Sequence, residues 1–452
     1  MNEEKMLMTE GTVWKILVRF AIPLFLGNLF QQLYNAVDSL VVGNFCGNEA
    51  LAAVSSSGSL QYLLIGFFQG LFIGGSVIIS RCFGAKDMDG VEEAVHTIVV
   101  FALGAGVLLT IVGVGFTPTI LRWIGTPENV MPNSITYFRI YCMGMLGMVL
   151  YNTSNGIFNA LGDSRHPLYY LIISSVTNAV LDILFVGVFH MGVAGAALAT
   201  TMGQFLSAGL GFLHLMSGKF VIQIKLSKLC VKFDVLKEIF RIGLPGGVQN
   251  SVNAIANLVV QSNINAFGDL AMAGCGSHAK IQGFVFLPIM SMSMALTTFV
   301  GQNMGAGKAD RIKKSIRQGM AISLPMAELF GVFVFVCAPY LVGLFSKDPA
   351  VVAFGVQQAR VEALFYFLLA TTHICAGTLR GAGQTMIPMA VTLGAWCLLR
   401  IAYIEGLVRI IPNINVVFSA YPVTWVVSSV VLLWFVKRQN WDENIKKAMQ
   451  NV

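Results

Sequence analysis

The chain has 452 residues, 56% of them hydrophobic and 11% charged, with mean hydropathy +0.73 and a formal net charge of +7. Soluble domains carry roughly 25% charged residues, so the composition excludes a water-soluble globular enzyme and describes a polytopic membrane protein. The eight cysteines (46, 82, 142, 230, 275, 337, 375 and 397) show no CxxC and no Cys/His metal spacing, so neither a disulfide framework nor a metal site is implied.

A hydrocarbon layer of about 30 Å takes about 20 apolar residues to cross. Apolar windows between polar breaks predict twelve spans: 14–40, 52–80, 94–118, 135–160, 167–189, 192–216, 238–264, 272–301, 318–343, 356–381, 385–409 and 414–436. The first is far longer than a signal-peptide core and no small-residue cleavage site follows it, so it is expected to be retained. It carries Asp38 in "YNAVDSLVVG", with no basic residue nearer than Arg19 and Arg81. The fourth span carries Asn155; the fifth carries Asn178 and, one helical turn on, Asp182. Residues 217–237 form a basic linker without a Gly/Ser run, expected to be ordered as a surface helix. The eighth span holds Lys280, the one lysine inside a span, and the run "PIMSMSMAL" with Met290, Met292 and Met294. Methionines suit surfaces that adapt to varied apolar ligands, which makes these three candidates for a substrate cleft; ordinary packing is the competing role for each. Glu328 lies in the ninth span, where either a pair with Lys280 or a role in transport would account for it. Glu362 and Glu405 lie near span ends, within reach of the interface.

Lysine and arginine collect on alternate loops. Lys5, Lys15, Arg19, Arg81, Lys86, Arg165, Lys219 to Arg241, Lys308 to Arg317, Arg380, Lys437, Arg438, Lys446 and Lys447 fall on one side; the other holds little beyond Arg122, Lys347 and Arg409. Positive residues mark the cytoplasmic face, so both termini are expected in the cytoplasm and the number of spans is even. The charge is spread over short loops and offers no nucleic-acid surface. No GxxxxGK[ST] loop is present, which disfavours ATP-driven transport by this chain alone.

The sequence repeats itself at a shift of 221 residues. Asn155–Gly162 falls on Ala376–Gly383, Pro167 on Pro388, Gly84-Ala85 on Gly305-Ala306, the block from Gly47 to Ala52 on Gly268 to Ala273, and Arg139 on Arg360; Ala21 to Pro23 matches Gly243 to Pro245 one residue later. Two halves of six spans enter the membrane the same way, so they are expected as two six-helix bundles related by a pseudo-two-fold axis along the membrane normal, with a substrate path at their interface. The domains read as 1–216, a linker at 217–237, and 238–452 with a cytoplasmic tail.

Acids inside a membrane cost at least about 2.5 kcal/mol each near its centre. Asp38 and Asp182 have no cation in their own spans and, with the amides of Asn155 and Asn178, describe a site for a proton or a small cation. The plainer role for each acid is a protonated carboxyl hydrogen-bonded between helices. At the 221 shift Asp38 falls on Val259, so the second half has no counterpart to it.

Several stretches together resemble the multidrug and toxic compound extrusion (MATE) transporters, especially the bacterial branch similar to the DNA-damage-inducible F proteins: "FAIPLFLGNLFQQLYNAVDSLVVG", "ALAAVSSSG", "ALGDSRHPLYYLIISSVTNAVLDILFV", "GVAGAALATTMGQ" and "FVGQNMGAGKADR". The resemblance implies twelve helices in two bundles, an inner-membrane location in a bacterium, and export of organic cations or other amphiphiles in exchange for H+ or Na+, with no other cofactor and no enzymatic activity. It implies a cation site at Asp38, Asn155, Asn178 and Asp182, joined by Thr200 or Thr201. Some relatives carry an acid where this chain has Asn253, and another in the tenth span where it has "TTHICAGTLRG", which concentrates coupling in the first half. The partners expected are small amphiphiles and lipid, with the chain a monomer. Two rivals are a lipid-linked precursor flippase, which has about fourteen spans in related proteins, and an intramembrane aspartyl protease, whose GxGD signature is missing here: "ALGD" at 160–163 is the nearest match.

Overall fold

A computed structural model describes residues 7–123 and 125–450; the side chains of 39, 44, 46–63, 449 and 450 lie outside the description, and with them the repeat block from Gly47 to Ala52 and the ALAAVSSSG motif. Helix is the regular secondary structure of the described residues, among which there is no strand. The helices are α1 (Val13–Gly84), α2 (Met88–Trp123), α3 (Met131–Met143), α4 (Met145–Ala160), α5 (Arg165–Asp182), α6 (Gly192–Met216), α7 (Phe233–Asn265), α8 (Asp269–Gly305), α9 (Ala309–Gly343), α10 (Pro349–Glu362), α11 (Tyr366–Gly381), α12 (Met386–Thr392), α13 (Arg400–Val408), α14 (Ile414–Arg438) and α15 (Trp441–Gln450).

Ten segments among the described residues are long and apolar enough to cross a membrane. Two lie within α1, Val13–Gly43 and Leu64–Gly84; α10 and α11 together make one, Pro349–Gly381, and α12 and α13 another, Met386–Val408. The expected fourth and seventh spans complete the twelve. The fourth is divided at Gly144 into α3 and α4, of 13 and 16 residues, each too short alone. The seventh is α7, whose run of Asn, Gln and Ser dilutes its hydropathy. Large apolar side chains stand exposed along these helices, among them Leu108, Ile111, Leu213, Val336 and Leu398, a surface that water would not tolerate as a continuous patch and lipid does.

The chain forms two compact units: Leu26–Gly243 with Met1–Leu7, and Leu244–Val452 with Met8–Phe25. The first unit's core is built from α2, α3 and α4 around Val91, Val95, Phe138, Met145 and Phe158. The linker adds Ile222 and Ile224 to it and is an extended strap with one short turn at Leu226–Lys228, not the expected surface helix. Its backbone N–H groups bond outward instead of within a helix: Lys225 donates to His96 Nε2 (3.2 Å) and Lys232 to Thr97 Oγ1 (3.2 Å), while Lys228 pairs with Glu92 at 2.7 Å. That carboxylate holds the Lys228 ammonium pKa above its ordinary value.

In the second unit the segment from Met8 is fixed at the α8–α9 turn. Arg311 donates to the carbonyls of Met8, Glu10 and Gly11, Lys308 to that of Thr9, and the Met8 N–H to Gln302 Oε1.

The repeat is visible in backbone geometry within each unit. Gly162 and Gly383 both adopt positive φ (87° and 78°), as do Lys86 and Gly307 (61° and 69°), each pair separated by the 221 shift. Ser76 donates to the Gly156 carbonyl at 3.2 Å, and Thr297, its repeat equivalent, to that of Gly377 at 3.0 Å. Lipid supplies no hydrophobic drive between helices, so small residues and such side-chain bonds set their approach.

Candidate functional site

Asp182 ends the regular part of α5; a π-helical turn, Ile183–Val188, follows directly. Such turns insert an extra residue per turn and recur at functional sites. Asp182 is fully buried, Asn178 one turn earlier is 1% exposed, Thr200 on α6 6%, and Asp38 on α1 9%. The close approach of α5 and α6 depends on Gly203: a Cβ there would stand 3.2 Å from Ser174 Oγ and 3.4 Å from Asn178 Cβ. Ser174 Oγ closes the contact by donating to the Gly203 carbonyl at 2.6 Å.

Asp38 lies within electrostatic reach of Asp182. Tyr34, one turn before Asp38, lies within reach of both acids and of Tyr141, and its hydroxyl faces Thr200. No donor serves either carboxylate oxygen of Asp182, Oδ1 of Asp38, Oδ1 of Asn178 or Oγ1 of Thr200, and Asn178 Nδ2 finds no acceptor. A buried oxygen left without a partner costs about 1–3 kcal/mol, more when charged, so the cluster has five oxygens in want of a proton or a cation.

Two other expected members are engaged elsewhere. Thr201 Oγ1 donates to the Ile140 carbonyl of α3 at 3.1 Å, whereas Thr200 lies beside the Tyr34 hydroxyl. Asn155 is half-buried, and its Oδ1 accepts from Asn159 Nδ2 on its own helix at 2.8 Å.

In the second unit the expected Glu328–Lys280 pair does not form. Lys280 is exposed with Nζ 5.2 Å from the Phe345 ring, and Glu328 Oε2 has no partner. Asn253 is half-buried with Oδ1 unpartnered. Met290 and Met294 are 38% and 43% exposed on one face of α8, while Met292 (4%) packs in the core with Leu296 and Phe299, so the three methionines do not share a surface.

Two features were missed. Tyr34 was signalled by its four-residue spacing from Asp38. Glu362 does not reach an interface: it is fully buried and accepts from Gln282 Nε2 (2.6 Å), Gln358 Nε2 (2.8 Å) and His278 Nε2 (3.3 Å). Nearness to a span end says nothing of the neighbouring helices that enclose it. Gln358 at four residues before Glu362, and His278 and Gln282 at the same spacing on α8, were the legible signal.

Known proteins sharpen this reading. The family profile described as MatE matches residues 23–184 and again 245–404, once per half. The chain is 31% identical over 396 residues to the probable multidrug resistance protein YpnP of Bacillus subtilis, covering 87% of this chain and 88% of that one. It is 26% identical to the probable multidrug resistance protein NorM of Thermotoga maritima, covering 84% and 82%. Its fold matches that of a MOP superfamily transporter from Pyrococcus furiosus with a TM-score of 0.90 at 23% identity, covering 97% and 98%. The twofold profile match, the length of the shared alignment and the all-helical fold place the chain in the MATE family, as a transporter and not an enzyme.

Proposed function

We propose that the protein exports small amphiphilic organic cations from a bacterial cell in exchange for H+ or Na+, working as a monomer in the plasma membrane with both termini in the cytoplasm. The observation that carries this reading is the cluster of donor-free oxygens on Asp38, Asp182, Asn178 and Thr200. Carboxylate, amide and hydroxyl oxygens suit a hard monovalent cation, and either acid can take a proton instead. Relatives are named as multidrug resistance and export proteins, which supports the direction and the substrate class. The coupling ion acts through its differential affinity for two arrangements of the protein: neutralising Asp38 and Asp182 favours one of them, and substrate release accompanies the shift. The lysine and arginine bias supports the orientation.

Proteoliposomes under an imposed pH gradient or an imposed Na+ gradient test the coupling. Asp38→Asn with Asp182→Asn is expected to abolish gradient-driven ethidium efflux while the protein remains inserted. Wild-type efflux by the double variant would overturn the assignment of these acids, and lipid scrambling without dye efflux would favour a flippase.

A further inference from the structure

The first unit carries an elongated apolar slot of about 450 Å³ between α1, α2 and the start of α7. Phe68 lines it from α1, Phe101 and Leu108 from α2, Val231 from the strap, and Leu236 and Phe240 from α7. On α2 the lining runs from Val100 to Leu109, about 14 Å at 1.5 Å per residue. Gly104 leaves the middle of the slot open, since a Cβ there would meet nothing within 4 Å. The walls offer a ligand no polar side chain, so what suits them is hydrocarbon. Leu108 is exposed, which opens the slot onto the face that meets lipid.

The rim at the strap end is charged. Residues 217–241 hold six basic residues against Asp234 and Glu238, an excess that the pairs with Glu92 and Glu93 reduce but do not cancel. On α7, Leu236 and Phe240 stand one turn apart in the wall, and Lys237 and Arg241 repeat that spacing one position on. Lys237 is exposed and enters no ion pair among the described residues. Arg241, also exposed, has one contact of 3.4 Å to Glu238. Leu226 and Phe233 stand exposed beside Lys225 and Lys232, the mixture of apolar and basic side chains that lies at a headgroup layer. Long basic side chains there reach phosphate groups while their stems stay on the apolar wall. We propose that the slot and its rim bind an anionic phospholipid, one acyl chain lying along α2 and the phosphate held by Lys237 and Arg241.

The test is native mass spectrometry of the full-length protein in detergent, with phosphatidylglycerol or phosphatidylcholine of identical acyl chains added at equal concentration. Wild type is expected to bind phosphatidylglycerol at least about tenfold more tightly, since each cation is worth about fivefold at an anionic headgroup. Lys237→Gln with Arg241→Gln is expected to bring phosphatidylglycerol down to the phosphatidylcholine level. Lys446→Gln with Lys447→Gln removes the same charge from α15 and is expected to change nothing. Gly104→Leu grows a side chain into the slot. It is expected to weaken both lipids about tenfold, the equivalent of about two buried methylene groups, with thermal unfolding in lipid-free detergent unchanged. Gly104→Met, whose side chain is more flexible, takes its place if leucine lowers the unfolding temperature. Equal binding of the two lipids by wild type overturns the proposal, as does full phosphatidylglycerol binding by Lys237→Gln with Arg241→Gln. An equal loss in the α15 variant reduces the preference to net charge and overturns the site. Unchanged lipid binding with the slot filled takes the acyl chain out of it, and a dimer that filling abolishes gives the slot to a second copy; either result overturns the assignment. None of these readouts depends on efflux, so the lipid site stands or falls apart from the coupling cluster.

Discussion

The two neighbouring threonines differ in what their hydroxyls meet. Thr200 faces Tyr34 and has no hydrogen-bond partner, whereas Thr201 bonds to the Ile140 carbonyl. Thr200→Val removes an oxygen from the cluster and is expected to slow gradient-driven efflux about tenfold, a loss of about 1.4 kcal/mol. Thr201→Val gives up one interhelical bond and is expected to cost about 1 kcal/mol of stability with transport unchanged; equal transport defects would put both hydroxyls in the site. The sequence marked the acids and amides because charge and amide groups are conspicuous in apolar spans. It left the threonines undecided, since adjacent helix positions differ by about 100° and only the partner helices say which one faces inward. Outside the membrane, Asp163 precedes α5 and accepts from the N–H groups of Arg165 (3.0 Å) and His166 (3.3 Å) and from the His166 ring. Burial raises the carboxyl pKa, but the bonds from His166 and from both backbone groups outweigh it and hold the carboxyl below its ordinary range. A depressed carboxyl contributes stability above its unfolded pKa and loses it as pH falls through the folded value. Asp163→Ala is expected to cost about 1–2 kcal/mol. The difference in thermal unfolding from wild type should be full above about pH 5 and close below about pH 3; a gap that does not change with pH would deny the charge its role.

Helix contacts give the element scale its own experiment. A Cβ on Gly377 of α11 would stand 2.5 Å from the Ser293 backbone carbonyl of α8, so α8 and α11 must part to admit it. Gly156, its repeat equivalent on α4, would meet the Ser76 hydroxyl at 2.8 Å, a side-chain end that can rotate away, and Gly104 on α2 would meet nothing within 4 Å. Gly377→Ala is therefore expected to destabilise by about 1–3 kcal/mol, Gly156→Ala by less, and Gly104→Ala not at all, since alanine is the better helix former by about 1 kcal/mol. Thermal unfolding of the three variants in one detergent checks the order, and a Gly377→Ala protein as stable as wild type would sink it. The span list was legible because apolar length is set by the bilayer. The division of the fourth span at Gly144 was not, because it is a matter of contact: a Cβ at Gly144 would stand 2.9 Å from Thr201 Oγ1. The linker was read as a helix from its ordered, charged composition, whereas its N–H groups are satisfied by His96 and Thr97, partners more than a hundred residues away in sequence.

Across the whole chain, a repeat in sequence became a repeat in backbone geometry, since positions 221 apart keep the same left-handed turns and the same serine- or threonine-to-carbonyl bonds. What a repeat does not encode is which unit each end of a helix joins. Met8–Phe25 belong to the second unit because carbonyls at Met8 to Gly11 are held by Lys308 and Arg311, and a self-comparison sees no such bond. The orientation of the molecule rests on the charge bias, and the strap offers a chemical handle on it. Cys230 is the exposed thiol of the strap, flanked by Lys225, Lys228 and Lys232. The strap's lysines pair with Glu92 and Glu93 at the start of α2, so Cys230 reports the side of the membrane on which α2 begins. With the other seven cysteines replaced, a membrane-impermeant maleimide is expected to label Cys230 in inverted membrane vesicles and to leave it unlabelled in intact cells. Retention of ethidium efflux by the single-cysteine protein confirms that the labelled chain is the folded one. Labelling from the outside of intact cells would reverse the orientation, and with it the direction in which the Asp38–Asp182 cluster meets the coupling ion.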